Sequence, residues 1–403
     1  MKIFIIFGTR PEAIKLAPLI CSLRKSFPIC VVSSGQHLDL TEQVIDFFEL
    51  QPDYRFGCMT KKPDLEKLYM CLARNIKDLI ECEDPDLIII QGDTLTAFAA
   101  SFMGFMLKKP VFHVEAGLRT FRKFLPYPEE MLRVLLSRIA DVHFAPTRQA
   151  AENLISEGIR KDRIIITGNT VVDALLLAQT LIDEKRVIND LSQNGTNAET
   201  LMSGEKLVLI TSHRRENIGD PLKNICKAVK RLAREYKNTI FLWALHKNIE
   251  VRNIVLEMMK SRPKNLLITE AFSYETMVYL MKKSHVLLTD SGGIQEEAPA
   301  FGKPVIILRD TTERSEVIDF GFGFLAGSNV ESIMNIFSKI HRNKDMYAHL
   351  AKKKNPFGDG KASERIRQFL MLDTVQSFIK NYPSSVESFI PCKGKIFIQE
   401  GVQ

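Results

Sequence analysis

The residues best suited to chemistry fall just after short apolar runs. In LTDSGGIQEEA, Leu288 to Ala298, an apolar run ends at Ser291-Gly292-Gly293, and a helix then opens with Gln295, Glu296 and Glu297. A strand–glycine–helix junction leaves backbone N–H groups unpaired at the helix start, which suits a phosphate. Glycines lack a Cβ, so an anion can come close to the backbone. The acids behind the loop, Glu297 among them, add acceptors for neutral hydroxyls. A ligand with both phosphates and hydroxyls, such as a nucleotide-sugar, meets that pattern.

Other polar residues stand in similar places. Gly8-Thr9-Arg10-Pro11-Glu12 follows the first apolar run, and Lys15 lies one turn further on. Arg10 and Lys15 could present two cations to an anion, or be solvated bases on a capped helix. Asp93 follows DLIIIQG and reads equally as a helix N-cap. Glu115, in PVFHVEAG, ends an apolar run, where a carboxylate needs a partner or a function. Pro128-Glu129-Glu130 starts a helix, and both acids also suit its dipole. Arg133 is four residues after Glu129 and is placed to be its ion-pair partner. His213 lies in the polar turn TSHRREN, and Arg314 in RDTTERSE offers bidentate geometry to a phosphate. Acids in the first half and a histidine, an arginine and a glycine-rich turn in the second suit phosphate departure coupled to proton transfer.

These residues need a scaffold of alternating strands and helices. Expected strands are 2–7, 29–33, 86–91, 111–114, 142–145 and 164–167, then 206–211, 240–244, 266–269, 286–289 and 305–308. Helices are expected between them, as at 12–24 and 65–80. Runs that are apolar throughout, rather than alternating, fit parallel strands covered on both faces. The fold class is therefore α/β, with two Rossmann-like doubly wound domains facing a cleft and ligands outside the strands' carboxyl ends. The domains are placed at 1–170 and 171–358, with 189–205 as a surface loop near their junction and 381–403 as a surface tail.

Composition narrows the partners. The chain has 403 residues, long enough for two domains, and a net charge of +7 with both signs interspersed. No basic arm or aromatic–basic strand points to nucleic acid. The longest apolar region, 87–107, is interrupted by Gln91, Gly92, Asp93 and Thr94 and does not read as a membrane span. No signal peptide is evident. Seven cysteines without a CxxC pair read as reduced thiols in a cytoplasmic protein. Metal-ligand spacings, a GxGxxG fingerprint and a Walker A loop are absent, so no cofactor or metal is expected.

The chain resembles the bacterial UDP-N-acetylglucosamine 2-epimerase family of the non-hydrolysing type. The ordered matching blocks include FGTRPEAIKLAPL, QGDT, HVEAGLRT, YPEE, GNTVVDAL, SHRREN, LTDSGGIQEEAP and GKPVIILRDTTER, and the resemblance spans roughly residues 1–375. It implies a glycosyltransferase-B-like fold whose last helix, about 360–380, packs on the first domain. It implies interconversion of UDP-GlcNAc and UDP-ManNAc through elimination of UDP to 2-acetamidoglucal, in a homodimer supplying surface polysaccharide. By position, Asp93, Glu115, Glu129 and His213 match the family's proposed catalytic residues. Arg10, Lys15, Ser291, Gly292, Gly293, Glu297 and Arg314 match its nucleotide-binding set, with Arg133 beside them and Met277 where relatives carry an aromatic near uracil.

Departures from the pattern qualify this. Leu132 replaces an asparagine, and Ser315 replaces a proline. Around a second, activating site known in some members, Gln36-His37-Leu38-Asp39 departs from the family's GQHRE, and Pro63, near Met59, replaces a glutamine. Activation by substrate is therefore not expected. Competing readings are a hydrolysing relative that releases ManNAc, an epimerase of a related UDP-N-acetyl sugar, and a binding protein that has lost turnover.

Overall fold

Two parallel sheets organise the chain. The computed structural model describes residues 1–36, 38–58, 64–196, 199, 201 and 206–389. Seven strands form the first sheet: β1 (Ile3–Phe7), β2 (Ile29–Ser33), β3 (Tyr54–Arg55), β4 (Leu87–Gln91), β5 (Val111–Val114), β6 (Val142–Ala145) and β7 (Ile164–Ile166). Their order is β3-β2-β1-β4-β5-β6-β7. The second sheet holds β8 (Lys206–Thr211), β9 (Thr239–Ala244), β10 (Leu266–Thr269), β11 (Val286–Thr289), β12 (Val305–Ile307) and β13 (Gly323–Leu325), in the order β10-β9-β8-β11-β12-β13. Strand order reverses at β1/β4 in one sheet and at β8/β11 in the other, the points where such sheets bind ligands.

Burial explains the apolar strand sequences. Every residue of β1 and β4 is buried, and β9 is buried throughout. Helices covering both faces remove the alternation that a half-exposed strand would show. The expected strands agree in register to within a residue at either end. The sequence reading omits β3 and β13, which are two and three residues long at sheet edges and too short to carry a periodic signal.

One unit comprises Met1–Leu177 with the chain from Phe357 onward, and the other Ala178–Pro356. The boundary falls within the helix Thr170–Leu181, a few residues later than the expected 170/171. Asp173 explains the shift, because its carboxylate accepts from the Ala362 and Ser363 N–H groups and ties the start of that helix to the first unit. The chain closes on the first unit with two helices, Ala362–Leu370 and Asp373–Lys380. Phe369 meets Phe112 and Phe144 edge-on, and Phe378 stacks on Phe112.

Three sequence expectations change. Residues 381–389 pack rather than trail: Phe389 stacks on Phe378 at 3.9 Å, and the Arg163 guanidinium lies 4.7 Å from the Phe389 ring. Two aromatics in a polar stretch, Tyr382 and Phe389, both packed on Phe378, supply this anchor without any periodicity. The expected loop from 189 begins inside a helix, Glu184–Gln193, whose Val187 and Leu191 are buried. Cys58 and Cys71 are joined by a disulfide with Cα atoms 5.7 Å apart, whereas Cys21, Cys30, Cys82 and Cys226 are free. A separation of 13 residues forms no recognisable motif; folding brings Cys58, just past β3, against the helix Leu65–Glu83. Cys392, His37, Met59 and Pro63 lie outside the described residues. Among the described residues, no helix is long and apolar enough to cross a membrane, and no cluster of His, Cys, Asp or Glu is arranged for a metal ion.

Candidate active site

In the first unit, the carboxylates follow the ends of β4 and β5 and open the helix Glu129–Ile139. Asp93 leaves β4 after Gly92, which adopts φ +71°. His113 in β5 is buried, and its Nε2 lies 2.7 Å from the Gly92 carbonyl oxygen, which steadies the turn. Burial pushes the His113 imidazole down to about 4, against the opposing hydrogen bond to Gly92, so the ring is neutral at ordinary pH. Asp93 accepts from Arg133 Nε at 2.7 Å. Arg133 also donates to Glu130 at 3.0 Å, and Glu130 in turn accepts the Thr120 and Phe121 N–H groups. Arg133, expected beside Glu129, thus engages Asp93 and Glu130, and Glu130 is structural.

Glu115 stands at φ +65°, a conformation that non-glycine residues seldom adopt and that marks functional positions. Its Oε2 accepts from Lys15 Nζ at 2.5 Å and from Asn169 Nδ2 at 3.0 Å. Lys15, expected beside a nucleotide, is buried and paired with an acid of its own unit. Asn169, from the GNTVVDAL block, is itself fixed: its N–H donates to the Phe357 carbonyl, and its Oδ1 accepts from the Val171 N–H. Glu129 differs from the other two acids. Among the described residues, its Oε2 is buried with no hydrogen-bond partner. A buried carboxylate oxygen without a donor is costly and needs an explanation.

Glu12 was read only as part of the GTRPE run, yet it joins the two turns at the β1/β4 crossing. One oxygen accepts the Gly8 and Thr9 N–H groups at 3.0 and 2.8 Å, and the other accepts the Thr94 hydroxyl at 2.7 Å. Burial pushes its carboxyl up to about 7, against these hydrogen bonds. The Gly8 and Thr9 N–H groups are therefore occupied by the protein itself. Arg10, next in sequence, is half-buried.

In the second unit, Ser291 precedes the helix Gly292–Glu297 without capping it through its side chain. Gly292 makes room for Arg314: a Cβ there would lie 2.9 Å from the guanidinium carbon. Gly293 is open, with only Ser291 Oγ within 4 Å, at 3.8 Å. Arg314 pairs with Glu296 at 2.9 Å and Glu313 at 2.6 Å. Burial raises the Glu313 carboxyl, but Arg314, Arg309 and Arg214 outweigh that and hold it at about 2. Glu297 is buried, and Met277 is half-buried one turn into the helix Tyr274–Lys283.

His213 sits at the end of β8, stacked on His246 with ring centroids 5.1 Å apart. Burial lowers the imidazole, the Asp290 charge opposes this, and His246, Arg214 and Arg309 add to the lowering. The structure thus brings Asp93 together with Arg133, Lys15 with Glu115, and Gly292 with Arg314. Besides Glu12 and Asn169, it adds His113 and Asp290, which fix the turns carrying Asp93 and His213. Their buried polar character within apolar runs was the available signal.

A family model described as UDP-N-acetylglucosamine 2-epimerase matches residues 21–371. The chain is 40% identical over 373 residues to the UDP-N-acetylglucosamine 2-epimerase of Neisseria meningitidis serogroup A, covering 92% of this chain and 99% of that one. It is similar to the crystal structure of a Neisseria meningitidis UDP-GlcNAc 2-epimerase bound to UDP-GlcNAc, with a TM-score of 0.85 and 40% identity over 92% of this chain and 100% of that one. The Methanocaldococcus jannaschii enzyme in complex with UDP-GlcNAc and UDP gives a TM-score of 0.75 at 33% identity, over 92% and 99% of the two chains.

Proposed function

Since the chain belongs to the UDP-N-acetylglucosamine 2-epimerase family and is an isomerase of that class, we propose that it inverts C2 of UDP-GlcNAc by a non-hydrolysing route. UDP leaves C1 as the C2 proton is removed, giving bound 2-acetamidoglucal. A proton exchanged with solvent is then delivered to the opposite face of C2 while UDP adds back to C1. The C2 hydrogen is not acidic, so C1–O cleavage must build positive charge at the ring for a carboxylate to remove it. Asp93, Glu115 and Glu129 take the sugar, and His213 assists the leaving diphosphate. Ser291, Gly292, Gly293, Glu297 and Arg314 take the nucleotide, with Arg10, Arg133 and Met277 as further contacts.

One observation carries this reading: Glu129 Oε2 is buried and unpartnered among the described residues, while Asp93 and Glu115 are engaged by Arg133 and Lys15. Glu129 therefore has an oxygen uncommitted to the fold, as a proton carrier requires. The bound-ligand structures of relatives support UDP-GlcNAc as the substrate. On family resemblance, the enzyme works as a cytoplasmic homodimer supplying ManNAc-type sugars for surface polysaccharide.

Incubation with UDP-GlcNAc in D2O, followed by NMR, tests the reading. UDP-ManNAc carrying deuterium at C2 is the expected product. Free ManNAc with UDP would replace it by the hydrolysing reaction, and absence of exchange would refute it.

A further inference from the structure

The second unit contains a carboxylate that the proposed chemistry does not yet use. Asp290 is fully buried at the carboxyl end of β11, one residue before Ser291. It accepts the Ser212 hydroxyl at 2.7 Å, the His213 N–H at 3.0 and 3.1 Å to its two oxygens, the Arg214 N–H at 3.1 Å and the Asn217 Nδ2–H at 2.8 Å. All four donor residues lie in the turn after β8, across the point where strand order reverses. Asn217 Nδ2 also donates to the Leu308 carbonyl at 3.0 Å, and Thr211 and Thr289 exchange a 2.6 Å hydroxyl contact between the same strand ends. The turn bearing His213 is thus folded around Asp290.

The imidazole has two further constraints. Its Nδ1 lies 3.4 Å from Asp290 Oδ1, and one ring face stacks on His246. A neutral imidazole carries its proton on one nitrogen, and the group facing that nitrogen selects the tautomer. A carboxylate can only accept, so it favours the proton on Nδ1 and leaves Nε2 for other work.

We propose that Asp290 is a positioning residue for the reaction: it fixes the His213 turn and holds the imidazole by its Nδ1–H, so that Nε2, once protonated, faces the departing diphosphate and gives it a proton. This rests on the reading that His213 assists UDP departure. Asp290 also stands one residue before Ser291-Gly292-Gly293, so the two turns are neighbours at the same strand ends. The charged and titratable groups around the imidazole are Asp290, His246, Arg214 and Arg309.

The test uses the full chain with Asp290→Asn and, separately, His213→Gln. For Asp290→Asn, kcat should fall about 100-fold, as for a misoriented acid–base group, while UDP affinity stays within about threefold. The limb of the pH profile governed by His213 should move to lower pH, because a charge that favours the imidazolium is gone. An unchanged kcat would overturn the proposal. So would a parallel loss of kcat, UDP affinity and Tm with an unmoved pH profile, which is the mark of a merely structural group. Unimpaired turnover in His213→Gln would instead refute the functional reading of His213. Should Asp290→Asn fail to fold, 15N NMR of the histidines in the wild-type protein decides: the neutral His213 ring is expected to carry its proton on Nδ1, and a neutral ring protonated on Nε2 alone excludes the proposal.

Discussion

The two sheets solve the same local problem in opposite ways. In each, a buried carboxylate bridges the two turns where strand order reverses, Glu12 in the first and Asp290 in the second. Glu12 lies behind its glycine turn and accepts that turn's own N–H groups, at Gly8 and Thr9. Asp290 lies ahead of its glycine turn and accepts the N–H groups of the neighbouring one, at His213 and Arg214. The first helix start is consequently filled by the protein's own carboxyl group. The second keeps Ser291-Gly292-Gly293 without a side-chain cap, with Arg314 over Gly292. Two sheets of one type thus differ in what fills the helix start, through the direction a single carboxylate faces. The acid with an uncommitted oxygen, Glu129, lies in the first unit, and the uncapped glycine turn lies in the second.

That division can be broken most sharply at Glu129. Glu129→Gln should lower turnover about 1,000-fold, within the usual range for general acid–base groups, and leave UDP affinity almost unchanged. Steady-state kinetics with calorimetry on UDP checks this; a large loss of UDP affinity would move Glu129 into the binding set.

Glu12 gives the next largest effect, on stability. Its folded carboxyl is raised to about 7 from an ordinary 4.5, so the fold favours its protonated form. Its contribution is full below about pH 4.5 and is lost as pH rises toward and through 7, by up to about 3 kcal/mol. Glu12→Gln should flatten the stability curve between pH 5 and 8. A glutamine can accept both N–H groups on its oxygen and donate its amide to the Thr94 hydroxyl, as the protonated acid does. Denaturant unfolding at a series of pH values reads this out, and an identical slope in both proteins would contradict it.

Arg314→Ala should weaken UDP binding about 30-fold, the loss of a charged hydrogen bond of roughly 2 kcal/mol. It should also lower Tm, because Glu296 and Glu313 lose a partner. Equal UDP affinity in variant and wild type would remove Arg314 from the nucleotide set. The smallest effect belongs to Gly293→Ala. The position is open, so stability should change by under about 1 kcal/mol. UDP affinity should still drop about tenfold if a phosphate rests on that backbone, since a Cβ would stand in its place. Calorimetry separates the two quantities.

Much of this was legible before any coordinates. Apolar runs locate eleven of the thirteen strands among the described residues, because burial on both faces writes itself into composition. The edge strands β3 and β13 stayed hidden, being too short for any period. Candidate site residues are expected where a polar group interrupts an apolar run, as at Asp93, Glu115 and His213. Partnerships were not legible. Arg133 was assigned by helical spacing to Glu129, yet it reaches Asp93 on another turn. Lys15 was read with the nucleotide and lies against Glu115. The cysteines were read as free, and one pair is bonded across 13 residues.

The sequence by itself determined the element types, the alternation that makes parallel sheets, and the ordered motifs that define the family. Those depend on neighbours along the chain: side-chain periodicity, glycine and proline at turns, acids at helix starts. Tertiary structure alone decided which carboxylate is paired, which is filled by backbone N–H groups, and which keeps an uncommitted oxygen. Charge state and orientation depend on burial and on donors as far apart in sequence as Asn169 from Glu115, or His213 from Asp290. Only the folded chain brings such groups within hydrogen-bonding distance.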